Sequence, residues 1–137
     1  MNVLSNAIDA LEEERNNEDF SIPNPKSQIP NPQIWIRTEV VENNSIKIRI
    51  RDNGGGMTDE VRKRLFDPFF TTKTVGKGTG LGLSISYQIV VEKHGGILEC
   101  FSEPGQGTEF LIEIPIKAAR SLKAEATKTK PAYAGYI

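Results

Sequence analysis

Two pairs of segments that alternate apolar and polar residues constrain the fold of this 137-residue chain most strongly. The first pair is residues 34–41 and 45–52, joined by a short connection that suits a tight hairpin. Three isoleucines of its second strand are predicted to point inward: Ile46, Ile48 and Ile50. Residues 97–101 and 108–115 form the second predicted pair.

Helical segments separate these strand pairs. Residues 1–14 place a set of apolar side chains on one helical face: Val3, Leu4, Ala7, Ile8 and Leu11. Residues 58–65 are typical of a short helix capped by Thr58. Residues 83–94 predict a helix that directs three side chains inward: Ile85, Ile89 and Val90. The sequence therefore predicts an α+β fold, an α/β sandwich with a mixed, largely antiparallel sheet and helices on one face.

We interpret residues 1–116 as one domain that is incomplete at its N-terminus, because its first helix has no cap and no lead-in. Residues 15–33 are rich in proline and asparagine and are predicted to be a loop. Residues 117–137 are rich in alanine and lysine without an apolar stripe, and they are predicted to be a disordered tail.

Composition excludes several classes of protein. The formal net charge is -1, which lacks the basic excess of a duplex nucleic-acid binder. Cys100 is the only cysteine, so the chain has no disulfide framework or cysteine-based zinc site, and we expect this residue half-buried in a strand. No signal peptide and no apolar run near the roughly 18 residues of a membrane span are present. We expect a cytoplasmic segment without membrane contact.

Asn2 and Asn6 lie four residues apart, on the helical face opposite the apolar one. An amide oxygen is a neutral hard ligand that suits a hydrated Mg²⁺ ion also bound to phosphates. Two solvated asparagines are the alternative.

Asp52 ends an isoleucine-rich strand and is followed by Asn53, three glycines and Met57. A carboxylate accepts hydrogen bonds, and adenine offers an exocyclic amino donor. Glycines let the backbone turn sharply and approach a flat ring. An ordinary turn after a strand is the alternative.

Residues 76–83 alternate glycine with other residues and run directly into a helix. Exposed backbone N–H groups and a helix N-terminus together make an anion site suited to phosphate. The spacing matches neither the dinucleotide fingerprint nor a P-loop. Residues 66–73 precede this loop and could anchor a lid through their phenylalanines, although core packing also explains those rings. Lys73 and Lys77 could neutralise phosphate charge, or could be solvated.

In this order, the segments resemble the nucleotide-binding boxes of the histidine kinase ATPase domain, within the gyrase, Hsp90, histidine kinase and MutL superfamily. Residues 2–7 resemble the asparagine box and residues 52–57 the first glycine box. Residues 67–70 resemble the phenylalanine box and residues 76–83 the second glycine box. Residues 107–110 resemble a weaker glycine–threonine motif.

The resemblance implies ATP and Mg²⁺ as ligands and a role for each matching residue. Asn6 would coordinate Mg²⁺, Asn2 would support the metal or a phosphate, and Asp52 would accept from the adenine amino group. Thr108 would contact the base region through water. Two glycines would line the base pocket, Gly54 and Gly56. Four residues would shape the lid over the phosphates: Gly78, Gly80, Leu81 and Gly82.

The implied function is that of the catalytic domain of a two-component sensor histidine kinase. Such a domain passes the ATP γ-phosphate to a histidine on a separate dimerisation domain, which serves a response regulator. The phosphoacceptor would lie outside this chain, because its only histidine, His94, ends a helix where capping explains it. Asp9 departs from the family pattern, in which a basic residue is common. A nucleotide-binding interaction module, an inactive fragment and an anti-sigma serine kinase are the alternatives.

Overall fold

The computed structural model describes residues 1–16, 31–42 and 44–116. Most of the predicted loop and the whole predicted tail lie outside these residues. Three α-helices are described: α1 (Asn2–Asn16), α2 (Asp59–Arg64) and α3 (Gly82–Tyr87), the last continuing as a π-helical segment (Gln88–Lys93). Four strands are described: β1 (Ile34–Val41), β2 (Ser45–Asp52), β3 (Ile97–Ser102) and β4 (Thr108–Pro115).

The four strands form one sheet in the order β1-β2-β4-β3, and each neighbouring pair is antiparallel. The register places Ile50 of β2 opposite Ile36 and Phe110, and Asp52 opposite Thr108. Alternate residues of a strand point to opposite faces, so this register gathers most of the apolar residues of the four strands on one side. The predicted largely antiparallel sheet and the α+β class are confirmed.

The helices pack on this apolar side. Five residues form the centre of the core: Val3, Ile50, Val90, Leu98 and Phe110. They come from α1, β2, the π-helical segment, β3 and β4, and burying each such side chain contributes about 1.5–3 kcal/mol. Cys100 lies half-buried on the same side, as expected, and burial raises the pKa of its thiol to about 12.

The third helix departs from the prediction. Val90 is buried as expected, but Ile85 is 43% exposed and Ile89 is 46% exposed. The side chain that faces the interior in the first turn is Ser84 instead. Ile85 and Ile89 are four residues apart and share a neighbouring, solvent-facing stripe. The predicted inward orientation of these two isoleucines is therefore wrong.

The β1 side of the apolar face is only partly covered. Ile46 of β2 points to this face, as predicted, but is 39% exposed, and its hairpin partner Val40 is 76% exposed. Ile36 of β1 and Ile8 of α1 are also exposed. In the described part of the chain, the helices lie mainly over β2, β4 and β3.

The opposite face of the sheet carries charged side chains in register. Arg49 lies within ion-pair distance of Glu109 at 3.0 Å and of Glu39 at 3.9 Å. The guanidinium of Arg51 lies 5.9 Å from the ring centre of Trp35. This face is therefore mostly charged, although Trp35, Phe101 and Leu111 also lie on it, and the cavity described below lies on the other one.

Local contacts fix the end of β2. The Asn53 side chain accepts from the backbone N–H of Gln33 at 2.8 Å and donates to the carbonyl of Asn31 at 3.1 Å. Thr58 caps α2, as predicted, by accepting from Val61 N. Asp52 thus ends β2 at a fixed point beside the first residue of β4.

Among the helices that the structure describes, none is both long and apolar enough to cross a bilayer.

Candidate functional site

A cavity of about 440 Å³ lies between α1, the adjoining ends of β2 and β4, and the loop that runs from α2 to α3. Most of the predicted site residues line it: Asn2, Asn6, Asp52, Gly56, Lys73, Lys77, Gly78, Gly80, Gly82 and Thr108. The fold thus brings together segments that are far apart in sequence. The volume of the cavity is typical of a small-molecule site.

Asp52 forms one end of the cavity. Its residue is only 3% exposed, and its carboxylate accepts from the backbone N–H of Gly54 at 2.9 Å. Burial raises the pKa of this carboxyl group, although the backbone N–H groups of Gly54 and Thr108 and nearby Arg51 oppose the rise. A buried carboxylate at a cavity wall is suited to accept from a donor on a ligand.

The glycine-rich loop after Asp52 is held against the β3–β4 hairpin. Gly56 has a φ of +70°, and a Cβ there would lie 2.0 Å from the carbonyl oxygen of Glu103. The Gly55 carbonyl accepts from Gly105 N at 2.7 Å. Only glycine permits this close approach, and Gly55 and Gly56 both line the cavity.

Two residues that were predicted to bind the nucleotide do not line the cavity. Gly54 is not a lining residue; its N–H orients Asp52, and its Cα packs against Ala10. Leu81 is not a lining residue either, and it stands at the start of α3.

Helix α1 provides the opposite wall. Asn6 lines the cavity, and Asn2 also donates its amide N–H to the carbonyl of Gly82 at 2.8 Å. Asn2 therefore joins α1 to the start of α3. The prediction missed Glu13 and Glu14, which also line the cavity. Glu13 lies two helical turns after Asn6, a spacing that could have indicated it.

The loop between α2 and α3 covers the cavity, and we call residues 66–81 the lid. Lys73 of the lid forms an ion pair with Asp9 of α1. Phe69 N donates to the Gly80 carbonyl at 2.8 Å, and both residues have positive φ. These contacts fix the lid near α1 and direct lysine side chains toward the cavity.

The phenylalanines of the lid do not share one role. Phe66 packs against the core, with its ring centre 5.5 Å from that of Tyr87. Phe70 lines the cavity, and its ring centre lies 4.5 Å from the guanidinium carbon of Arg64. Phe69 is 76% exposed. Core packing therefore explains Phe66 but not Phe69.

The donor set of the cavity fits a magnesium ion that arrives with a phosphate ligand. In the parts of the chain that the structure describes, no three His, Cys, Asp or Glu side chains are grouped to hold a metal. Mg²⁺ commonly keeps several waters and takes few protein ligands besides substrate phosphates. The amide oxygen of Asn6, on the cavity wall, is compatible with that mode.

The fold is that of a histidine kinase-type ATPase domain, and comparison with known proteins gives the family. Residues 1–118 match the family described as "Histidine kinase-, DNA gyrase B-, and HSP90-like ATPase". The chain belongs to this family, and the resemblance seen in the sequence is confirmed.

The relatives within the family include sensor kinases. Sporulation kinase E of Bacillus subtilis is 35% identical over 117 residues, which is 85% of this chain and 13% of that protein. Sensor kinase CckA of Brucella abortus is 46% identical over 77 residues, 56% of this chain and 8% of that protein. The chain thus spans a small part of the length of these relatives.

Solved structures show the same fold. The catalytic domain of histidine kinase ThkA, in a nucleotide-free form, aligns with a TM-score of 0.53 and 36% identity over 62% of this chain and 53% of that one. The mycobacterial sensor histidine kinase MprB aligns with a TM-score of 0.54 and 26% identity over 81% of this chain and 71% of that one.

Proposed function

We propose that this chain is the catalytic domain of a two-component sensor histidine kinase, which binds ATP with Mg²⁺ and presents the γ-phosphate to a histidine on a separate dimerisation domain. The observation that carries the proposal is the buried Asp52 at one end of a cavity whose other walls are α1 and a glycine-rich lid. An ATP site also favours a cytoplasmic location.

The arrangement of the cavity gives ATP one orientation. Asp52 accepts from the adenine amino group, and Gly56, which lines the cavity without a side chain, lies beside the flat base. The phosphates then extend toward α1 and the lid, where Lys73 and Lys77 offer positive charge. Gly78 and Gly80 allow the lid backbone to approach the phosphates closely.

The residues of this chain act by binding and orientation, since phosphoryl transfer depends mainly on positioning and charge neutralisation. Asn6 would hold Mg²⁺, which when bound supplies neutralisation of the phosphate oxygens. Asn2 supports the same region by joining α1 to α3. The lid shields the phosphates from water on one side and leaves the γ-phosphate for an acceptor on another domain.

An acceptor domain needs a surface on which to dock. Large apolar side chains are exposed on the lid, on α3 and on the π-helical segment that continues it: Phe69, Val75, Ile85 and Ile89. Exposed apolar patches commonly mark interaction sites. We assign the dimerisation domain to this surface and a response regulator to the later step of the relay.

A nucleotide-binding interaction module without transfer activity is the second candidate. The Asp9–Lys73 ion pair favours this second candidate, because Asp9 holds a lysine that would otherwise be free to neutralise phosphate.

The test is calorimetric titration of the chain with ADP and with a non-hydrolysable ATP analogue, with and without Mg²⁺. We expect saturable binding that Mg²⁺ strengthens. Asp52→Ala should weaken binding about 10-fold or more while circular dichroism shows an intact fold, because a hydrogen bond to a charged group contributes about 1.5–3 kcal/mol. Glu99→Ala, an exposed acid on the polar face of β3, is the matched control.

The two candidates differ in a second measurement, transfer of labelled phosphate from ATP to an added dimerisation domain. Labelling of the acceptor histidine supports the kinase. Magnesium-dependent binding without labelling supports the module. A folded chain that binds no nucleotide refutes both.

A further inference from the structure

Ser102, the last residue of β3, lies behind the cavity wall and is not one of its lining residues. Its hydroxyl nevertheless contacts three groups around the base end of the cavity. Met57 N donates to Ser102 Oγ at 2.8 Å. The Gly107 carbonyl oxygen is 3.0 Å away, and Thr108 Oγ1 is 2.9 Å away.

The single proton of the Ser102 hydroxyl decides the direction of these bonds. A carbonyl can only accept, so the Gly107 contact is a hydrogen bond only if Ser102 donates to it. In that arrangement Thr108 must donate its own proton to Ser102, and all three contacts are hydrogen bonds. If Ser102 donated to Thr108 instead, the Gly107 carbonyl would lose this partner, and only two bonds would remain.

The arrangement with three bonds leaves Thr108 without a proton to offer the cavity. Its hydroxyl oxygen can then only accept from a ligand or from a bridging water. The neighbouring Asp52 carboxylate, when ionised, is also an acceptor, and it already accepts from Gly54 N at 2.9 Å. Both polar groups at the base end therefore seek donors.

We propose that Ser102 is a positioning residue that determines base specificity. Because Ser102 accepts the hydrogen bond of the Thr108 hydroxyl, this end of the cavity selects a purine with an amino group at C6. A purine with a carbonyl at C6 presents an acceptor oxygen where adenine presents its amino donor, so this group loses its hydrogen bond and faces two acceptors. Its N1–H, a donor that adenine lacks, offsets part of this loss, and we expect such a purine to bind more weakly. A site built around a specific hydrogen bond discriminates strongly against a ligand that cannot make it. This inference rests on the proposed nucleotide site and extends it to a residue outside the cavity.

The test compares the affinity of ADP with that of inosine diphosphate, which carries a carbonyl where adenine carries the amino group. Wild-type protein should prefer ADP. In Ser102→Ala, Thr108 can rotate and donate its proton, so the affinity ratio should fall about 5-fold to 10-fold, the effect of one hydrogen bond. Ser102→Thr keeps a hydroxyl and should restore the ratio.

Two further variants separate this effect from a general loss of structure. Ser45→Ala removes a buried hydroxyl at the opposite end of β2 and should leave the ratio unchanged. In a Thr108→Val background, Ser102→Ala should change the ratio no further. If Ser102→Ala does not fold, Ser102→Cys provides the same comparison with a weaker hydrogen-bonding group.

The outcomes are distinct. A fall in the ratio that Ser102→Thr reverses supports the inference. Equal loss of ADP and inosine diphosphate affinity in Ser102→Ala overturns it, because Ser102 would then only hold the Met57 loop in place. Wild-type protein that binds neither nucleotide refutes the proposed function itself, and the inference with it.

Discussion

Two glycines in the β3–β4 hairpin provide a matched test of how close packing builds the base end of the cavity. Gly105 and Gly107 have nearly the same φ, +78° and +79°. A Cβ on Gly105 would have no heavy atom within 4 Å, whereas a Cβ on Gly107 would lie 2.1 Å from the carbonyl oxygen of Asp52. The two alanine variants therefore share the backbone strain and differ in the contact.

The magnitude follows from that difference. Placing alanine in the left-handed region costs about 1–2 kcal/mol at either position, and the change in unfolded-state entropy is also shared. Gly107→Ala must in addition move the start of β4 away from β2, which disturbs the pairing of Thr108 with Asp52 at the cavity. Loss of this pairing and of nearby packing should add about 2 kcal/mol or more.

Urea denaturation measures the free energy of unfolding of both variants, and calorimetry measures their ADP affinity. We expect Gly105→Ala to remain folded and to bind nearly as well as wild type. Gly107→Ala should be clearly less stable and should lose most of its binding. If the two variants agree to within about 0.5 kcal/mol, the close approach of Gly107 to Asp52 does not support the site, and the reasoning is wrong.

Three further predictions concern the charged and metal-binding groups. Asp9→Asn should tighten ATP binding a few-fold, because it releases Lys73 to the phosphates. A double-mutant cycle with Lys73→Met should give a coupling free energy of unfolding of only about 0.5 kcal/mol, since both side chains are about one-third exposed. No gain in ATP affinity in Asp9→Asn would contradict competition for Lys73. Because burial raises the pKa of Asp52, its carboxyl group binds a proton at a higher pH in the folded state than in the unfolded state. The free energy of unfolding should therefore fall as pH rises from 3.8, the ordinary pKa, to the raised pKa of the folded state. ADP affinity should correspondingly fall on acidification before an ordinary carboxyl titrates, and a profile that stays flat down to the ordinary value would count against ionised Asp52 as the acceptor. Asn6→Ala should abolish the strengthening of nucleotide binding by Mg²⁺ in calorimetry, and a surviving metal effect would remove Asn6 from the metal site.

The sheet could be predicted from the sequence because its signal is local. Alternation at every second residue identified the strands of both hairpins, and the short connection at residues 42–44 indicated the pairing of β1 with β2. The central pairing of β2 with β4 joins distant segments and has no local signal. The inward side of α3 could not be predicted in the same way. Ile85 and Ile89 have the right helical spacing, but only tertiary packing shows that Ser84 occupies the interior.

In the candidate site, too, residues with a local sequence signal could be predicted, and residues defined by tertiary contacts could not. Asp52 and the two glycine-rich segments could be predicted because their residue types are unusual and their order matches a family. The Asp9–Lys73 pair could not, since its partners are 64 residues apart and neither residue type is unusual. Ser102 was missed because an isolated serine at a strand end has no distinctive signal, and its meaning depends on three hydrogen bonds made in the fold.

The uncovered β1 side of the sheet has a consequence for handling the protein. Among the described residues β1 pairs with β2 alone, so its other edge offers unpaired backbone groups next to the exposed side chains of Ile36 and Val40. Such an edge can template intermolecular strand pairing. Arg37 and Glu39 alternate with these residues and act as gatekeepers. Concentrated samples should therefore be most prone to precipitate when salt screens these charges, and light scattering against ionic strength would show it.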